Sequence, residues 1–363
     1  MKTIVLHDYF ANAEGGGRLA LNLAQGLQAD LAYGFRSDNH TFFKGNNFLL
    51  HEIPLGINVP IPLLKQLFVC RSFLHNTAFL NNYRNVFYSG YYSPLAVDNS
   101  SKTCRNIYYC HTPPRFIYDQ KNFYLSREKC VVRLMLKWFI SYLKPLYEEA
   151  IGKMDIIIAN SENVQKRIKS FLGYKSQVIY PPCDVKSFKW IDNKGYFLST
   201  ARLDPLKRVD LIVSAFVKMP DKKLIVTSGG TELPKLKKLA EGCDNVIFTG
   251  WVSEDRYREL LGSAVATIYV PYEEDFGLSP VESMAAGKPV LGVAEGGLLE
   301  SVIPEETGIL IEPSGLEEKI VDAVLQMTAK KADGMRKSCE RRANMFRAEK
   351  FIREIQSTMR KIK

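Results

Sequence analysis

Short runs of aliphatic and β-branched residues recur along the chain, each followed by a polar or glycine-containing break and then a stretch with helical character. In the first half they are Thr3–Leu6, Leu31–Tyr33, Phe48–His51, Asn85–Tyr88, Asn106–Cys110, Met154–Ala159 and Val178–Tyr180. In the second they are Tyr196–Ser199, Lys223–Thr227, Val246–Thr249, Ala264–Val270, Pro289–Val293 and Gly308–Ile311. Strands alternating with helical patterns predict an α/β chain built on doubly wound sheets. Helices are predicted at Leu19–Leu27, Lys121–Glu149, Val209–Val217, Leu316–Met327 and Ala332–Lys363, with Ser161 and Ser253 as N-caps of two more.

At 363 residues the chain exceeds what one hydrophobic core organises, so two domains are expected. Pro181-Pro182 stiffens the exit from the first set of strands, and Lys186–Lys194 reads as a hinge. Ile4–Leu6 is too short for the apolar region of a signal peptide, and Arg133 and Lys137 interrupt the best candidate for a membrane span. The seven scattered cysteines show no Cys-x-x-Cys pair and read as reduced packing residues of a cytoplasmic protein, not as a disulfide frame or zinc site.

Charge is unevenly divided. Residues 1–189 hold 23 Lys and Arg against 13 Asp and Glu, whereas residues 190–363 hold 26 of each. The whole excess of +10 therefore lies in the first half, where it suits an anionic lipid surface, nucleic acid or an acidic substrate. Within Lys121–Lys144, the cations Lys129, Arg133 and Lys137 alternate with Leu134, Met135, Trp138 and Phe139. That mixture fits an interfacial membrane helix, and equally a core helix with a basic solvent face.

The chemistry centres on Tyr272–Glu295. Apolar runs on both sides make it a βαβ unit with an acidic, glycine-containing first turn. Ser279 is the expected N-cap, Pro280 the first helical residue, Glu282 the capping-box carboxylate and Gly287 the stop. A helix N-terminus beside Gly277 suits an anion such as phosphate. Glu273, Glu274 and Asp275 would repel it unless they hold hydroxyl groups, so a ligand with both phosphate and hydroxyls fits.

Three other loops carry candidates. Gly15, Gly16, Gly17 and Arg18 follow the first strand, where backbone can approach a phosphate or sugar; a flexible turn is the plain alternative. The spacing is neither a dinucleotide fingerprint nor a P-loop. His111, in His-Thr-Pro-Pro-Arg after the fifth strand, sits where open α/β sheets bind ligands, or is a structural histidine. Arg202 and Lys207 flank a proline turn at the same sheet end as the acidic loop.

Glu274 and Glu282, around Asp-Phe-Gly-Leu-Ser-Pro-Val, resemble the donor motif of the retaining family-four glycosyltransferases, and the likeness extends over nearly the whole chain. His111–Arg115 resembles a segment of the bacterial mannosyltransferase-like members. The resemblance implies the GT-B fold, two Rossmann-like doubly wound domains facing across a cleft. It places the acceptor domain at 1–188, the donor domain at 189–345 and a closing helix at 346–363. It also implies a nucleotide-sugar donor held by Phe276, Gly277 and Leu278, with Glu274 on the sugar hydroxyls and Glu282 on the ribose. Arg202 and Lys207 would hold the diphosphate, and His111 would face the donor sugar. Gly17 stands where the family usually has Glu, while Arg18 matches. With no Asp-x-Asp element, no metal and no cofactor are expected.

The expected reaction is transfer of a hexose, mannose from GDP-mannose, to a lipid-linked saccharide of bacterial surface polysaccharide such as O-antigen. The expected location is the inner face of the cytoplasmic membrane, with Lys129, Arg133 and Lys137 against it. A UDP-sugar donor, a GT-B epimerase and a basic nucleic-acid-binding module are the alternatives; the last leaves Glu274, Glu282 and the glycine loop without purpose.

Overall fold

The computed structural model describes residues 2–11, 15–37, 51–57, 59, 61–101 and 103–361. The chain divides into two units, residues 1–181 with 351–363, and residues 182–350.

The first unit is a seven-stranded parallel sheet. Its elements run β1 (Thr3–His7), α1 (Gly15–Leu27), β2 (Asp30–Tyr33), β3 (Glu52–Pro54), α2 (Pro62–His75), β4 (Asn85–Ser89) and β5 (Arg105–Cys110). Then come α3 (Lys121–Ser126), α4 (Cys130–Gly152), β6 (Ile156–Ala159), α5 (Glu162–Leu172) and β7 (Gln177–Val178). The strand order is β3-β2-β1-β4-β5-β6-β7. The second unit holds β8 (Tyr196–Ser199), α6 (Val209–Val217), β9 (Lys223–Thr227), α7 (Leu233–Leu239), β10 (Val246–Gly250), α8 (Glu254–Ser263) and β11 (Thr267–Tyr269). It continues with α9 (Leu278–Ala285), β12 (Val290–Val293), α10 (Leu298–Ser301), β13 (Gly308–Ile311), α11 (Leu316–Gln326) and α12 (Ala329–Asn344), before α13 (Ala348–Lys361). Its order is β10-β9-β8-β11-β12-β13.

Both sheets therefore reverse direction once, between β1 and β4 and between β8 and β11. Loops at the carboxyl ends of such strand pairs diverge and leave a crevice, so these are the two places where each unit is shaped for a ligand. Central strands such as β4 and β12 are buried throughout, as expected of parallel sheets covered on both faces. Ser161 accepts a hydrogen bond from the Val164 N–H and Ser253 one from Arg256, capping α5 and α8 as the sequence predicts.

Several boundaries differ from expectation. Of the strand predicted at Phe48–His51, residues 48–50 lie outside the described residues, and β3 forms at Glu52–Pro54. Lys121–Glu149 is two helices, because Lys129 is extended (ψ 157°) and starts α4 as its N-cap. The terminal helical stretch is also two: Phe346 turns inward between α12 and α13, with its ring 5.3 Å from that of Phe276. Helix α2 has no counterpart in the sequence reading; its apolar residues do not gather on one stripe, and Ile61, Leu64 and Phe68 remain exposed.

The last turns of α13 pack on the first unit. Phe351 and Ile355 are buried beside Leu19, Leu23 and Tyr109, each burial stabilising by about 1.5–3 kcal/mol. A Cβ on Gly26 of α1 would come within 2.2 Å of Ile352, so glycine is what lets the two helices meet.

Candidate active site

In the second unit, the crevice loops are Thr200–Arg208 after β8 and Val270–Gly277 after β11. Lys207 ends a 3-10 turn, Pro205–Lys207. Its Nζ lies 2.5 Å from the Glu274 carboxylate and 3.4 Å from the Tyr269 hydroxyl, which donates to the same carboxylate at 3.2 Å. Burial disfavours the Lys207 ammonium, but the Glu274 charge and Tyr269 outweigh it, and its pKa stands above the ordinary 10.5. Tyr269 is raised too, by burial first and then by Glu274, and remains a phenol. The cluster thus holds a fixed cation and a fixed anion side by side. Arg202 is half-exposed, and its Nε lies 2.5 Å from Asp204.

The acidic loop is tightly cradled. Gly297 N–H donates to the Glu274 carbonyl at 2.9 Å. A Cβ on Gly296 would fall 2.3 Å from that carbonyl, and one on Gly297 2.4 Å from Phe276 Cα. The Gly296-Gly297 pair is therefore a seat for the loop and not merely a turn.

Helix α9 does not begin as the sequence predicts. Gly277, with φ +84°, is its N-cap, and no side chain caps it; Ser279 and Pro280 lie inside the first turn. A helix N-terminus that opens on a glycine is of the kind that binds anions. Glu282 is consequently no capping-box residue. It is buried and accepts a 2.7 Å hydrogen bond from the Tyr257 hydroxyl of α8. Phe276 is a core side chain and Leu278 the first residue of α9, so these two shape the loop.

In the first unit, the crevice loops follow β1 and β4, with the loop after β5 beside them. His7 Nδ1 lies 2.8 Å from the Ser89 carbonyl and 3.3 Å from its hydroxyl, which is 2.8 Å from His111 Nε2. A carbonyl only accepts, so His7 carries its proton on Nδ1. Burial first, and then the neighbouring His7, lower the His111 pKa from 6.5 to about 3, so the imidazole is neutral. Asp8 accepts from the N–H groups of Tyr91 (2.5 Å), Tyr92 (2.9 Å) and Ser93 (2.8 Å), pinning the loop after β4. Burial pushes it up to about 6 against those three hydrogen bonds. Gly90 makes the contact possible, since a Cβ there would lie 2.3 Å from the Asp8 carboxyl.

The three glycines form the first turn of α1, whereas the sequence reading started that helix at Leu19. Residues 12–14 of the preceding loop lie outside the described residues. A Cβ on Gly16 would stand 3.7 Å from the His111 ring and 3.8 Å from His7, so the helix start lies against both histidines. At Gly17 a Cβ would press on the Phe10 ring at 3.1 Å, which accounts for glycine where an acidic residue is usual in the resembled family. Arg18 follows in the same turn, half-exposed.

Sequence reasoning missed Ser89, Asp8, Tyr269 and Tyr257. Ser89 and Asp8 carry one detectable signal, their position at or just beyond strand ends at the switch point; the tyrosines carry none. A cavity of about 370 Å³ in the second unit is lined by Phe188, Trp190, Arg336 and neighbours, and by none of the residues above.

The model of the family described as glycosyl transferases group 1 matches residues 184–345, nearly the whole second unit. The match covers a little under half of the chain. Over 83% of its length the chain is 27% identical to the alpha-1,3/1,6-mannosyltransferase ALG2 of Dictyostelium discoideum, of which it spans 84%. It is 28% identical to the human GDP-Man:Man(3)GlcNAc(2)-PP-Dol alpha-1,2-mannosyltransferase over 57% of its own length, and spans about half (49%) of that protein. Sucrose-phosphate synthase from Thermosynechococcus elongatus superposes on the entire chain with a TM-score of 0.79 at 18% identity. The likeness covers 99% of that structure, so the chain has the GT-B fold.

Proposed function

We propose that the chain transfers mannose, with retention, from GDP-mannose to a lipid-linked saccharide at an anionic membrane surface, and that this serves bacterial surface polysaccharide synthesis. The observation that carries the reading is the Lys207–Glu274–Tyr269 cluster at the loop that leads into α9 at Gly277. It offers cations and backbone N–H groups to a diphosphate and a carboxylate to sugar hydroxyls. Arg202 joins Lys207 on the diphosphate, Glu282 takes the ribose, and His111 faces the transferred sugar with the glycine start of α1 beside it. Arg202 and Lys207 neutralise the departing nucleotide without a metal. The names of both mannosyltransferase relatives support mannose, and that of the human one, with its GDP-Man and PP-Dol, supports GDP-mannose and a lipid diphosphate acceptor.

The deciding experiment offers the protein a panel of nucleotide sugars. GDP-mannose is expected to raise the melting temperature and to be consumed when a lipid diphosphate saccharide is supplied, because a ligand of the native state stabilises it. Stabilisation by a UDP-hexose alone would move the donor assignment, and no response to any nucleotide sugar would remove the reading.

The membrane part rests on α4. Its second half is core, with Phe139, Ile140, Leu143 and Tyr147 buried, but its first half is not. Val131 is 72% exposed, Leu134 68% and Trp138 56%, among the exposed cations Lys129, Arg133 and Lys137. One half of the helix is thus core and the other half exposed. Among the described residues no helix is long and apolar enough to cross a membrane, so attachment by this exposed face is the fitting mode. In liposome flotation, binding is expected to need anionic lipid and to weaken with salt, each cation contributing about 1 kcal/mol. Changing Lys129, Arg133 and Lys137 together to Glu should abolish it. Equal flotation with neutral vesicles would overturn the electrostatic part, and none with anionic vesicles at low salt the whole of it.

A further inference from the structure

Arg208 follows Lys207 and has no part in the chemistry above, yet it occupies a conformation that side chains avoid. Among the described residues five non-glycines have positive φ; three of them, Arg208 (+50°), Ser228 (+104°) and Glu273 (+49°), lie in loops at the carboxyl ends of β8, β9 and β11. Such backbones persist where the surroundings hold them, and they gather at ligand sites. What holds Arg208 is specific. Its Nε donates to the Val270 carbonyl at 2.8 Å and its Nη2 to that of Pro271 at 2.7 Å, while Nη2 also meets the Glu295 carboxylate. The Tyr272 N–H donates to the Leu206 carbonyl at 2.7 Å, tying the same loop to the turn that carries Lys207.

One guanidinium therefore joins the Lys207 turn, the end of β11 and the turn after β12 on which the acidic loop sits. We propose that Arg208 is a positioning residue of the donor site, holding the Glu274 loop against Lys207 so that diphosphate and sugar hydroxyls meet groups already in place. The planar fork is essential, since Lys in its place would keep the charge but reach one acceptor at a time. The inference rests on the reading of these loops as the nucleotide-sugar site.

The test uses Arg208→Gly, which suits a left-handed backbone while removing the guanidinium, and Arg208→Lys. Kinetics are measured with GDP-mannose and a UDP-hexose as donors. Both variants are expected to raise the donor KM about tenfold or more, the scale of lost hydrogen bonds from a charged group, with the acceptor KM unchanged. Free guanidinium should lower the donor KM of Arg208→Gly but not that of Arg208→Lys. A wild-type donor KM in Arg208→Gly overturns the inference. So does a rise of donor and acceptor KM together, with an earlier melt and no rescue by guanidinium, which is what general loosening produces. A wild-type protein that takes no nucleotide sugar brings down the donor-site reading itself, whereas equal donor binding by wild type and Arg208→Gly sinks only the role of Arg208.

Discussion

Lys207→Ala is expected to lower kcat by about 10²–10³-fold, the scale of removing one preorganised electrostatic stabiliser. In the absence of donor the ammonium rests on Glu274, 2.5 Å away, so it is already in the crevice and already partly desolvated. On the proposed reading, a nucleotide diphosphate, which carries more charge than the carboxylate, would draw the ammonium towards itself as the bond to the sugar breaks. Glu274 would then be released to accept from a sugar hydroxyl. The variant loses the cation and also leaves Glu274 beside Tyr269 without its partner, so some stability should be lost too, and kcat must be read at a temperature where both proteins are folded. With Arg202 retained, activity should persist in EDTA. A kcat within a few-fold of wild type, or activity lost in EDTA and restored by manganese, would show that the charge is neutralised by something else.

If His111 faces the transferred sugar as proposed, His111→Gln should have the next largest effect, lowering kcat about 10²-fold, and it has a signature in stability. The folded His111 stays neutral down to about pH 3, while in the unfolded chain an imidazole of ordinary pKa 6.5 takes up a proton. As pH falls from 6.5 towards 3 the unfolded state gains protons that the folded state refuses, so this residue destabilises the fold progressively across that window and not above it. Asp8 acts with the opposite sign: raised from 3.8 to about 6, it stabilises fully below 3.8 and loses that contribution as pH rises through 6. Because Asp8 is present in both proteins, its slope cancels in the comparison. The melting temperature of His111→Gln relative to wild type is therefore expected to rise steadily from pH 7 to pH 4. A difference that does not change with pH would mean that His111 is solvated and titrates normally.

Much of the fold was legible because buried parallel strands announce themselves. Tyr196–Ser199, Lys223–Thr227 and Gly308–Ile311 coincide with β8, β9 and β13, and Val209–Val217 with α6. Local signals failed where distant contacts decide. Ser279, Pro280 and Glu282 form an acceptable capping box on paper, yet Gly277 starts the helix. Its positive φ carries the chain from the acidic loop straight into α9, and Tyr257, 25 positions away, takes up Glu282 instead. The site shows the same division. Residues with chemistry of their own, Lys207, Glu274 and His111, could be picked out by type and position. Those that place them, Ser89, Tyr269 and Arg208, make contacts across 22, 62 and 87 positions of sequence, and only Ser89, at a strand end beside the switch point, is marked by its place.

The final helix has a consequence for how the molecule is made. Phe351 and Ile355 complete an apolar cluster whose other members, from Val5 to Ile179, are synthesised far earlier, while residues 182–350 between them form a unit of their own. On the ribosome, where domains form as their residues emerge, the second unit has all its parts before the first does. Until α13 arrives, Tyr109 lacks its ring contact with Phe351, and α1 lacks Ile352 against Gly26. A nascent first unit thus shows an oily patch throughout the synthesis of the second, which makes α1 and β5 the segments where a holding chaperone would be most needed.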